Sequence, residues 1–147
     1  MTFQPNPDAI EWRLHLRAAP ATVFDMLATA EGRRQFWAES ADESNRTIEF
    51  RFPDGSTLLS RVIELVRPNR FTIEYFGGAT VRFECTPDDS GGTDLRLRET
   101  GTPPAERTEN IAGWVSVLLC LKAAADYGVD LRDHDPERTW ASGYAAN

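Results

Sequence analysis

The chain has 147 residues, 41% hydrophobic and 27% charged, which is the length of about one domain and a composition that excludes disorder. Its 16 basic against 23 acidic residues leave a formal charge of −7. That balance excludes the basic footprint of a general nucleic-acid binder and predicts repulsion from an anionic membrane surface. Cys85 and Cys120 are too few and too far apart for a disulfide framework or a structural zinc site. The opening segment MTFQPNPDAIEW carries neither a basic n-region nor an apolar h-region, so no signal peptide is expected. The longest apolar run, Ile111 to Leu121, falls short of the ~20 residues a membrane helix needs. A cytoplasmic protein without membrane insertion is the expectation.

Ile10, Trp12, Leu14 and Leu16 alternate with Glu11, Arg13, His15 and Arg17, which predicts a half-buried strand. Pro20 opens a helix as a first-turn residue, with Val23, Phe24, Leu27 and Ala28 as its apolar stripe. A second short helix is expected over Glu31–Trp37. Thr47–Phe52, Thr57–Val66 and Arg70–Phe76 read as successive strands, punctuated by Pro53-Asp54-Gly55 and Pro68-Asn69. Gly77-Gly78 signals a hairpin. Val81, Phe83 and Cys85 form the next inner face, and Leu95 and Leu97 the last. Connections this short require antiparallel neighbours. A long helix follows from about Thr108 to Tyr127, closed by Gly128. Its apolar residues cover most of the circumference, which predicts a helix surrounded by protein. Asp135 and Pro136 predict a short helix in the tail, and Trp140 and Tyr144 are anchors for docking it, so residues 129–147 are expected to lie on the body of a single domain spanning 1–147.

This order resembles the helix-grip arrangement of the START-like superfamily, also called SRPBCC or birch-pollen-allergen-like. Within it the chain is similar to the bacterial proteins named after the activator of the heat-shock protein 90 ATPase. The resemblance is carried by Ala19-Pro20-Ala21-Thr22-Val23-Phe24, Phe36-Trp37, Glu109-Asn110-Ile111-Ala112-Gly113-Trp114 and the segment from Asp133 to Trp140. It implies an α+β fold: a curved six-stranded antiparallel sheet wrapped around a long C-terminal helix, with two short helices after the first strand. The superfold hosts carriers, sensors, cyclases and co-chaperone domains, so it does not by itself imply one function. The namesake is a co-chaperone with an additional N-terminal domain. Here the first strand is expected by about Ala9, which leaves no length for that domain.

Individual residues add little catalytic chemistry. The paired glycines lack nucleotide-binding spacing, and Gly113 reads as a helix glycine permitting close approach to the sheet. His15 falls on the outward phase of its strand. His134, between Asp133 and Asp135, reads as surface and capping structure and not as a metal ligand. Cys85 and Cys120 sit among apolar residues. Glu99 continues the inward phase of Leu95 and Leu97. It is either a buried acid needing a partner or a solvated residue on a frayed strand end. The expected site is a cavity between sheet and helix, bounded by Phe36, Trp37, Tyr75, Phe83, Glu99, Trp114 and Leu118. The expected function is non-catalytic binding of a small apolar or amphipathic molecule, with no cofactor and no metal, by a monomer or homodimer. A chaperone-associated protein-binding module and a cyclase- or hydrolase-like enzyme are the alternatives.

Overall fold

Period-two alternation builds β1 (Ile10–Leu16), which buries Ile10 and Leu16 at its ends and turns Arg13 and His15 to solvent. The computed structural model describes residues 5–145. Residues 1–4 of the opening segment and 146–147 of the expected tail lie outside it. Pro20 starts α1 (Pro20–Ala28), whose Val23, Phe24 and Leu27 are buried. Thr29 caps α2 (Ala30–Arg34) by accepting the Gly32 N–H at 3.0 Å. This helix stops short of the expected Trp37. The Arg33 carbonyl accepts the Trp37 N–H at 2.8 Å, and the resulting turn drives Phe36 and Trp37 into the core.

A strand that alternation does not announce comes next. β2 (Ser40–Ser44) pairs with β3 (Thr47–Arg51) through Asn45 and Arg46, which hold φ of 51° and 58°. The fully buried Arg33 secures this edge strand. Its guanidinium donates to the Ala41 carbonyl at 2.7 and 3.1 Å and to the Leu27 carbonyl at 3.2 Å. Burial lowers its pKa to about 10, against the pull of Glu43 and Asp42.

The remaining strands are β4 (Thr57–Val66), β5 (Arg70–Glu74), β6 (Thr80–Pro87) and β7 (Thr93–Thr100). The sheet is therefore seven-stranded, in the order β1-β7-β6-β5-β4-β3-β2, with every neighbouring pair antiparallel. Its register sets Ile10 opposite Glu99, Glu99 opposite Val81, and Val81 opposite Ile73 on the concave face. β5 ends at Glu74, so Tyr75 leaves the ladder, and a 3-10 turn over Phe76–Gly78 replaces the simple two-residue hairpin.

The long helix, α3 (Arg107–Tyr127), ends at Gly128 with φ of 63°. Trp114, Leu118 and Leu121 face the sheet, while Val115 is 37% and Leu119 51% exposed. The expectation of a helix enclosed on all sides is thus corrected: the sheet covers one face, and the opposite face meets solvent. The covered side chain of Asp126 accepts the N–H of Arg17 at 2.9 Å and of Ala18 at 3.0 Å, pinning α3 to the β1–α1 connection. Beyond Gly128, Arg132 donates to the carbonyls of Ala38 and Arg34 at 2.9 and 2.6 Å, and His134 bridges Glu39 and Asp130. Asp135 accepts the Glu137 N–H in a turn, where a short helix is expected, and a 3-10 turn forms later, over Trp140–Ser142. Among the described residues, no helix is long and apolar enough to cross a membrane.

Candidate functional site

Where α3 crosses the open end of the sheet, aromatic residues from five separate segments converge. Trp37 lies at the centre, with ring centroids 4.9 Å from Phe50, 5.6 Å from Phe83, 5.9 Å from Tyr75 and 6.0 Å from Trp114. Its indole N–H donates to the Tyr75 hydroxyl at 3.0 Å. The mutual angles are tilted or edge-to-face, the arrangements that ring quadrupoles favour. Burial pushes the Tyr75 phenol above its ordinary pKa; the Glu99 charge acts the same way, and the Trp37 bond opposes both. Tyr75 therefore keeps its proton.

Glu99 points inward, as its phase implies, and is fully buried within β7. Its Oε1 accepts from Thr102 Oγ1 at 2.6 Å and Asn110 Nδ2 at 2.8 Å, and its Oε2 accepts the Trp114 indole N–H. These three donors compensate the burial of a carboxylate and lock the orientation of two α3 side chains.

In front of this cluster lies a cleft of about 470 Å³, within the size range of small-molecule sites. Of the residues expected around a cavity, Trp37, Tyr75 and Trp114 line it. Phe36, Phe83, Leu118 and Glu99 sit behind that lining, in the packed interior. Sequence reasoning missed Phe52 and Phe76 on two turns, Glu106 and Glu109 at the start of α3, and Trp140 in the tail. Phe52 and Phe76 pack 5.7 Å apart, and the Trp140 indole donates to Glu109 Oε1 at 2.9 Å, which ties the tail to α3 beside the cleft.

Gly113 also lines the cleft, and a Cβ built on it meets no atom within 4 Å. The expectation of a packing glycine there is overturned, since α3 presents this position to the cavity and not to the sheet. The close approach occurs at Gly32, where a Cβ would lie 2.4 Å from Met26 Cα and 2.5 Å from the Asp25 carbonyl oxygen.

The remaining candidates lie elsewhere. Cys85 and Cys120 are buried; desolvation pushes the first to about 12 and also raises the second, so neither offers a thiolate. His15 is exposed and 2.6 Å from Asp88 Oδ2. Both ring nitrogens of His134 face carboxylates. Among the described residues, no group of three or more His, Cys, Asp or Glu is placed to hold a metal ion.

The family model described as "Activator of Hsp90 ATPase homolog 1-like protein" matches residues 17–126, well over half of the chain. The chain belongs to this family. In fold it is similar to a Staphylococcus saprophyticus protein with a TM-score of 0.73 and 21% identity, covering 84% of this chain and 96% of that one. It is similar to the Aha1 dimer from Colwellia psychrerythraea, again at a TM-score of 0.73 and 21% identity, covering 82% and 97%. A putative protein of the dynemicin biosynthetic locus matches at a TM-score of 0.71 and 16% identity, covering 85% of this chain and 49% of that one. Identities this low carry the family's helix-grip fold and nothing finer. No curated protein matches the chain.

Proposed function

We propose that this protein binds a small apolar or amphipathic molecule in the cleft in front of Trp37, Tyr75 and Trp114, and performs no reaction on it. The observation that carries this reading is the cleft itself, of about 470 Å³, lined by the aromatic residues Trp37, Phe52, Tyr75, Phe76, Trp114 and Trp140 together with a few polar groups. Binding pockets combine those features. The Glu99 carboxylate, the one acid among the described residues that is buried behind it, is already engaged by three structural donors, which supports binding over acid–base chemistry.

The test is a thermal-shift screen of aromatic and amphipathic compounds, followed by tryptophan fluorescence. A ligand at a hundredfold excess over its Kd stabilises by about 2.7 kcal/mol. Trp114→Phe is expected to weaken binding because it removes ring area, and to lower stability because it leaves the buried Glu99 Oε2 without its indole donor. A screen with no shift, together with native mass spectrometry showing no co-purified molecule, would remove the support for this reading.

A chaperone-associated, protein-binding role is the second reading. Val115 and Leu119 on the outer face of α3 favour it, being apolar and exposed. Val115→Asp together with Leu119→Asp separates the two readings, since it would abolish association with a partner protein and leave binding in the cleft unchanged.

A further inference from the structure

The charges around the cleft are of one sign. Asp54, Glu106 and Glu109 line it, and none of the described residues that line it is Lys, Arg or His. Glu109 receives the Trp140 indole N–H, and Asp54 receives the Ser56 N–H and hydroxyl at 2.9 and 2.6 Å. The Glu106 carboxylate has neither a hydrogen-bond donor nor an ion-pair partner among the described residues. It lies over the turn at Gly77, where a Cβ would sit 2.5 Å from its Oε2. The nearby aromatic faces of Phe52, Tyr75, Phe76 and Trp140 are electron-rich surfaces of the kind that attract ammonium groups.

We infer that the molecule held in this cleft carries a cationic head, an amine or quaternary ammonium, with its aromatic or aliphatic body against Trp37 and Trp114 and its charge at Glu106. The inference rests on the binding function proposed above and names the class of ligand. An anionic amphiphile such as a fatty acid would bring its carboxylate against three carboxylates with no cation to neutralise it. A neutral one would leave Glu106 without a partner. The chain's overall charge of −7 acts in the same direction, drawing cations to the opening. Tyr75 adds a hydrogen-bond donor, because its oxygen accepts from Trp37 and its own proton has no acceptor among the described residues.

The test uses three probes with one aromatic body and different heads: 2-(1-naphthyl)ethylamine, 2-(1-naphthyl)ethanol and 1-naphthylacetate. Their affinities for the full chain are measured by chemical-shift perturbation at neutral pH. The amine is expected to bind about tenfold tighter than the alcohol, a factor within the reach of cation–π attraction, and the acetate weakest. The preference for the amine should fall with added salt. Glu106→Gln should erase most of that preference. Equal affinities for amine and alcohol, or tightest binding of the acetate, would overturn the cationic head and leave the cleft as a binding site. The absence of binding by all three would count against both. Perturbed resonances away from Trp114 and Gly113 would refute the location.

Discussion

Two helix glycines should respond to alanine with opposite signs. At Gly113 a methyl group enters the cleft and meets nothing within 4 Å. The packing term is then close to zero and helix propensity decides, favouring alanine by about 1 kcal/mol. For a domain of this size that raises Tm by roughly 2–4 °C. At Gly32 the same methyl group would be 2.4 Å from Met26 Cα and 2.5 Å from the Asp25 carbonyl oxygen. Both are backbone atoms, so α1 and α2 must separate, and a loss of about 3 kcal/mol is expected, at the upper end of ordinary overpacking. Differential scanning calorimetry of Gly113→Ala and Gly32→Ala reads both. Gly113→Phe extends the argument: its ring would occupy the cleft, so probe binding should vanish while the native far-UV signal persists. A fall in Tm for Gly113→Ala would refute the placement of this residue and, with it, the open cleft.

Glu99→Gln should cost about 2 kcal/mol in urea unfolding, because the amide end of a glutamine opposes one of the donors that the carboxylate accepts. Asp126 behaves as an acid-side stabiliser. Burial alone would raise its pKa, but the N–H groups of Arg17 and Ala18 and the Lys122 ammonium lower it overall. Its contribution, about 2 kcal/mol for hydrogen bonds to a charged group, should be present above the unfolded carboxylate range and be lost as pH falls through the lowered folded value; Asp126→Asn should flatten that acid limb. His134 has the opposite sign: bonding to Glu39, then to Asp130, raises its pKa. Its contribution is therefore complete below its ordinary value of about 6.5 and is lost as pH rises through the raised one. Amide protection factors in residues 129–139, corrected for the intrinsic base-catalysed rate, should fall over that window and stay level across it in His134→Gln. Trp140→Ala should weaken every cleft ligand, with little change in Tm, because Trp140 is part of the cleft lining and only half-buried.

Strands with a strict apolar alternation, such as β1 and β6, are legible in the sequence because each buries one face of the sheet. β2 is not. In Ser-Ala-Asp-Glu-Ser only Ala41 is buried, so there is no alternation to read. Its hairpin turn also uses Asn45 and Arg46 at positive φ without a glycine to mark it. The end of α2 is hidden for a different reason: Phe36 and Trp37 are compatible with a helical stripe, and only the turn at the Arg33 carbonyl shows that they enter the core from a loop. Gly32 and Gly113 are equivalent as letters. Which one meets backbone and which meets empty space depends on how α1 crosses α2 and on where the sheet ends beneath α3.

The site divides along the same line. Trp37, Tyr75 and Trp114 are legible because large aromatics on inner phases must lie near the core. Phe52, Phe76 and Trp140 belong to turns and to the tail, and periodicity says nothing about where such segments fold back. Glu99 is legible in direction but not in role. Its phase aims it inward, and a buried carboxylate must be matched by donors. Those donors come from Thr102, Asn110 and Trp114, and none is left for a ligand to supply. The acid thus acts one step behind the cleft, as a positioning residue. Because Trp114 has its indole N–H committed to β7, its ring cannot rotate away without leaving a buried charge short of a partner. The aromatic floor is therefore held rigid by an electrostatic cost, and on the binding function proposed above a cationic head would meet Glu106, which among the described residues has no donor.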